Sequence, residues 1–150
     1  MLTIILLIFY FPFSFNLSFL TTVHTNLTYS SIIGMIDLFS LPFYFQKNSI
    51  ILSNYFIVNI IDDCNAFLPF LLFVAAIVVI KGKINIKLYW LLFSWFTIML
   101  FNIIRIFIIL LITDENKNLF FITHDIVTYF FMPLFILILY WYFLKKINTP

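Results

Sequence analysis

LYWLLFSWFTIMLFNIIRIFIILLI, residues 88–112, is a run of 25 residues that carries a single charge, Arg105. An α-helix needs about 20 apolar residues to cross a hydrocarbon core of about 30 Å. The run therefore predicts a membrane-spanning helix with an ionised group inside it. The composition of the whole chain agrees: of 150 residues, 65% are hydrophobic and 9% charged, too few charges to cover a water-soluble globule of this size. A formal net charge of +2, spread along the sequence, offers no nucleic-acid surface. The two glycines, Gly34 and Gly82, provide no phosphate-binding loop. A single cysteine, Cys64, excludes an intramolecular disulfide and a clustered-cysteine zinc site. No cofactor or metal is expected.

Three more apolar windows, at residues 2–20, 66–80 and 127–144, qualify as spans or come close. They predict an all-α integral membrane protein of about four transmembrane helices, a single polytopic domain over residues 1–150. The first window has no preceding lysine or arginine and no small-residue cleavage site after it, so it reads as a retained helix. The second is short, but Lys81 and Lys83 can snorkel and let it extend. Short cytoplasmic loops collect lysine and arginine. That rule puts Lys81, Lys83 and Lys87, and Lys145 and Lys146, in the cytoplasm, and TDENKNLFFITHD, residues 113–125, outside as a loop. With four spans in a cell membrane, both termini are cytoplasmic. Residues 32–45, interrupted by Asp37, Ser40 and Pro42, fit a re-entrant or interfacial segment; if they span instead, the amino terminus lies outside. SIILSNYFIVNI, residues 49–60, reads as two short strand-forming runs around Ser53-Asn54, a small outer-face hairpin leading to Cys64.

A charge at the bilayer centre costs about 2.5–3.5 kcal/mol on insertion scales, and such residues face a protein interior and a partner. Counted back from Ile112, Arg105 lies roughly 10 Å below the outer helix end. Asn102, three residues earlier on the same face, can hold the guanidinium or a substrate carbonyl. Cys64 stands in IIDDCNAFLPFLLF at the outer end of the second helix, and His124 in FFITHDIVTYFF at the outer start of the last. Topology alone thus brings Cys64, Arg105 and His124 to one leaflet. A thiol reacts as thiolate, which a nearby cation or a helix amino terminus favours. A histidine can relay the proton, and a fixed charge in a dry site can stabilise a tetrahedral oxyanion. Asp62 and Asp63 oppose a thiolate if they point at it, and otherwise face water, bind a partner or orient His124. Asp125 is expected to matter little to its neighbour, because adjacent helical residues do not face each other. The plainer readings are a cysteine acting as a small hydrophobe and a histidine acting as an interfacial cap.

The order and spacing of Cys64 at a helix head, Asn102-Ile103-Ile104-Arg105 late in the next helix and His124 opening the last resembles the exosortase and archaeosortase family over about residues 50–144. Asn65 and Ala66 follow the cysteine where the family commonly has Ser-Gly, and Thr128 stands where a glycine often does. The resemblance implies a membrane-embedded cysteine peptidase or transpeptidase, with Cys64, Arg105 and His124 as the catalytic set and Asn102 in support. It also implies partners: membrane-anchored substrate proteins ending in a short motif, a transmembrane helix and a basic tail. The alternative is a non-catalytic assembly or transporter subunit in which Arg105 pairs with a partner's carboxylate.

Overall fold

The computed structural model describes residues 17–46, 49–60 and 66–147. Of the window at residues 2–20, only 17–20 lie within it, and they open helix α1, Leu17–Leu38. Three short strands follow, β1 Tyr44–Gln46, β2 Ser49–Ile51 and β3 Ile57–Asn59. Then come helix α2, Phe67–Val79, and the long helix α3, Ile84–Glu115. A 3-10 turn, Lys117–Leu119, leads into a continuous helical run made of α4, Phe120–Ile126, a π-helical turn, Val127–Phe131, and α5, Met132–Ile147. Among the described residues, two helical segments are long and apolar enough to cross a membrane, 84–115 and 117–147; α2 is a shorter apolar helix.

Helix α3 is the post around which the rest is built. Its 32 residues make it about 48 Å long. Leu88, Leu92, Phe96, Leu100, Ile104, Ile108 and Leu111 recur at helical spacing and are all exposed, a continuous apolar stripe suited to lipid. The opposite side is buried in two cores. Ile98 and Trp90 join Phe73 and Ile77 of α2 and Met132, Leu139 and Phe143 of α5. Met99, Ile103, Ile106, Phe107 and Leu110 join Ile32 and Ile36 of α1 and Ile50 and Val58 of the sheet. Glycine-mediated close approach plays little part with so few glycines, and aromatic rings fill the space instead. Phe101 stacks on Phe135 at 4.2 Å with the planes 7° apart, and Trp90 meets Phe143 edge-on. Helix hydroxyls bond back to their own backbone, Thr97 to Phe93 and Thr113 to Ile109, which makes them tolerable in an apolar setting.

The region between residues 32 and 60 differs from expectation in part. Residues 32–38 are the last turns of α1, so the segment 32–45 is not a separate re-entrant element. The helix ends in a Schellman motif: the Leu41 amide bonds the Ile36 carbonyl, the Ser40 amide bonds the Asp37 carbonyl, and Ser40 takes a φ of 51°. Pro42 follows at the place where a helix cannot continue. The hairpin forms as its sequence predicts, with Ile50 opposite Val58 and a loop of Ser53, Asn54 and Tyr55 closed by Leu52–Phe56 pairing. Tyr55 occupies the left-handed position that such a loop needs, at φ 63°. A third strand, β1, was not foreseen; it pairs antiparallel with β2, in the order β1-β2-β3, so the fold is mostly helical rather than all-α.

The expected loop at residues 113–125 is almost entirely helical. Helix α3 runs on to Glu115, only Asn116 interrupts it, and α4 has begun by Phe120. The hairpin tip makes this possible by supplying partners to the helix end. Asn54 Nδ2 donates to the carbonyls of Thr113 at 2.8 Å and Asp114 at 3.0 Å, and the Ser53 amide and hydroxyl both donate to Asp114 Oδ1. At the other end, Lys87 Nζ donates to the Val78 carbonyl of α2 at 3.1 Å. Helix α2 does not extend beyond Val79: Ile80 is already extended backbone. Gly82 packs so closely on Ile147 that an added Cβ would collide with that side chain. The two lysine groups, around Gly82 and at Lys145 and Lys146, therefore gather at one end of the molecule, and the sheet tip lies at the Glu115 end.

Candidate active site

Arg105 lies on the buried side of α3, 4% exposed, with the fully buried Asn102 one turn before it. Because α3 continues past Ile112 to Glu115, ten residues separate Arg105 from the helix end, about 15 Å rather than the expected 10 Å. Its Nη1 donates to Thr128 Oγ1 at 3.2 Å. Thr128 belongs to the π-turn, in which the Met132 amide reaches back five residues to the Val127 carbonyl. In an α-helix four residues overshoot a full turn, whereas in an i→i+5 turn they fall short of one. The drift between His124 and Thr128 is thus reversed between Thr128 and Met132. The three side chains stay in one stripe facing α3.

His124 is not at the first residue of its helix but well inside the run that starts at Lys117, and its side chain is 31% exposed. It stacks on Phe120 one turn earlier, ring centroids 5.7 Å apart. Its Nδ1 lies 3.3 Å from Asp125 Oδ1. The neighbours thus do meet, contrary to the expectation for adjacent helical positions, because both side chains are at the solvated rim and can bend toward each other. At 61% exposure the carboxylate is a screened partner rather than a buried one.

Arg105 and His124, from two different helical segments, line the same cavity of about 210 Å³. Its other walls are Val58, Asn59 and Ile60 at the end of β3, Ile106, Ile109 and Leu110 of α3, and Phe120. Asn102 is not part of this wall; it is buried below it on the same helix. Among the described residues, the polar side-chain groups in its wall are a guanidinium, an imidazole and the Asn59 amide, and the rest are apolar. Asn59 is itself oriented, its Oδ1 accepting from Ser49 Oγ at 2.7 Å across the sheet.

Cys64, Asp62 and Asp63 lie outside the described residues. The segment that contains them joins Ile60, in the cavity wall, to Ala66, which is buried against the α2 and α5 core. Ala66 takes φ 56° and ψ 17°, the left-handed region, as it turns the chain into α2. Sequence reasoning gave Thr128 and Asn59 no role. Thr128 had a readable signal, since it follows His124 by four residues and so shares its helix face; Asn59 had none without the strand register. His24, on α1, is also buried, packed against Trp95 and Phe67 and away from the cavity wall.

A family model described as transmembrane exosortase matches residues 1–141 of the chain. Neither a curated protein nor a solved structure gives a match.

Proposed function

The chain belongs to the transmembrane exosortase family, and from that premise we propose that it is a membrane-embedded cysteine peptidase or transpeptidase. Its substrates are exported proteins held in the membrane by a carboxy-terminal signal of a short motif, an apolar helix and a basic tail. The observation that carries this reading is the convergence of Arg105 and His124 on one cavity whose wall runs in sequence directly toward the single thiol. In this mechanism His124 takes the Cys64 proton and the thiolate attacks the scissile carbonyl carbon. Arg105 stabilises the oxyanion of the tetrahedral intermediate. Collapse to a thioester expels the amine of the tail fragment, which His124 protonates. Water or an acceptor nucleophile then resolves the thioester and returns the thiol. The site faces the outer side of a multi-pass protein in the cell membrane.

A subunit role would require Arg105 to reach a carboxylate on another chain. Arg105 is instead buried and bonded to Thr128 of its own chain, which favours the enzyme. The test is processing of a reporter that ends in such a tripartite signal, followed as a size shift after co-expression. Cys64→Ala should insert normally and leave the reporter uncut, and Cys64→Ser should fail as well because a hydroxyl is far harder to deprotonate. Wild-type processing by the alanine variant would remove Cys64 from the mechanism.

A further inference from the structure

Arg105 is the only arginine in the sequence, and it is buried beside the cavity that it lines. A guanidinium presents five N–H donors in one rigid plane, so fixing any one of them fixes the direction of the others. Thr128 supplies such a fixing point, accepting from Nη1 at 3.2 Å. Thr128 lies one α-turn beyond His124 and so shares its face, and the wider turn that follows brings Met132 back to the same side, into the core behind it. A π-turn sacrifices regular i→i+4 bonding, and such turns occur frequently at functional sites. Here it includes a residue that bonds the buried cation.

We propose that Thr128 is a positioning residue that anchors the Arg105 guanidinium and sets its orientation in the cavity wall. The proposal rests on the exosortase reading for its consequence in turnover, but not for the geometry itself. A guanidinium held in one orientation acts on a developing charge as a fixed dipole at no further reorganisation cost. Thr128 also couples the two sides of the cavity, since it is joined covalently to the helix that carries His124 and by hydrogen bond to the helix that carries Arg105. A shift of that helical run relative to α3 moves the imidazole and the guanidinium together.

The unique arginine makes this directly measurable. Full-length protein labelled with ¹⁵N-arginine in detergent micelles contains one guanidinium, whose proton exchange and Cζ–N rotation can be followed by NMR spectroscopy without any substrate. Thr128→Val keeps the shape and removes the acceptor; Thr128→Ser keeps the acceptor. The valine variant should show exchange and rotation faster by roughly five-fold, the factor expected from losing one hydrogen bond of ordinary net strength, and the serine variant should stay near wild type. Reporter processing should fall in turnover number with little change in KM for valine and be rescued by serine. Equal guanidinium dynamics in wild type and Thr128→Val would overturn the proposal. Faster dynamics in the valine variant, with no reporter cut even by the wild type, would uphold the positioning role and refute the peptidase reading instead.

Discussion

Replacing Arg105 by lysine separates charge from geometry. Lysine keeps a cation but offers one compact ammonium in place of a planar fork, and cannot bond Thr128 and a substrate oxyanion in the same fixed arrangement. If Arg105 stabilises the tetrahedral intermediate, Arg105→Lys should capture substrate yet turn it over at least about ten-fold more slowly, a loss of roughly 1.4 kcal/mol. Wild-type product accumulation under enzyme-limiting conditions would leave Arg105 as a field source only. Ala66 offers a second residue-level test. At φ 56° an L side chain is strained by about 1–2 kcal/mol and a β-branched one by more. Ala66→Gly relieves that strain but gives up a buried methyl, so its melting temperature should stay close to wild type, whereas Ala66→Val should melt well below both. A valine variant as stable as wild type would show that this backbone conformation is not required.

At the scale of elements, the hairpin tip and the end of α3 support each other. Asn54→Ala removes two bonds to the last helix carbonyls and one to the Phe56 amide. It should cost about 1–3 kcal/mol, discounted toward the lower figure by the tip's partial exposure. Hydrogen exchange should quicken at residues 111–116 and in the hairpin together; exchange confined to the hairpin would refute the clamp. This clamp also explains where sequence reading fell short. Asp114, Glu115, Asn116 and Asn118 have the composition of a loop, and it is the distant Ser53 and Asn54, some 60 positions away, that supply partners to the end of α3, while Asn116 caps the turn that follows. The long helix around Arg105 was readable because its apolar length admits no other structure. Its faces were readable only in part: Ser94, Asn102, Arg105 and Thr113 mark the buried side, but most of that side is as apolar as the lipid stripe. The hairpin was visible from its β-branched runs and turn residues. The strand β1 depends on a pairing with β2 that no local pattern announced, and the Schellman end of α1, though local, turns on Ser40 rather than the glycine that usually marks it. At the site, Arg105 and His124 stood out by chemistry alone, whereas Thr128, though its spacing from His124 was readable, became significant only through its bond to Arg105.

At the scale of the molecule, Lys81, Lys83, Lys87, Lys145 and Lys146 gather at one end, and the hairpin tip lies at the other with Lys117, with α3 between them. The positive-inside rule assigns the lysine end to the cytoplasm. In right-side-out vesicles an impermeant maleimide should therefore label Cys64, and should spare Lys83→Cys made in a Cys64→Ala background. Labelling only at position 83 would invert the molecule and place the cavity inside.

Helix α2 is bounded on both sides by non-helical backbone and has 13 residues, about 20 Å of apolar length. It packs beside α3, which is more than twice as long. Lipid tails against such a pair cannot match both, and hydrophobic mismatch of this size is met by local thinning of the bilayer at a cost of fractions of a kcal/mol per Å. The dent would form where the chain leaves the sheet for α2, bringing bulk water and headgroups down toward the depth of Arg105. In the peptidase mechanism proposed above, water must reach the thioester, and thinned lipid would supply it while exposing the first peptide bonds of an entering substrate helix. Reconstitution into lipids of increasing acyl length should accordingly slow processing stepwise, without unfolding the protein.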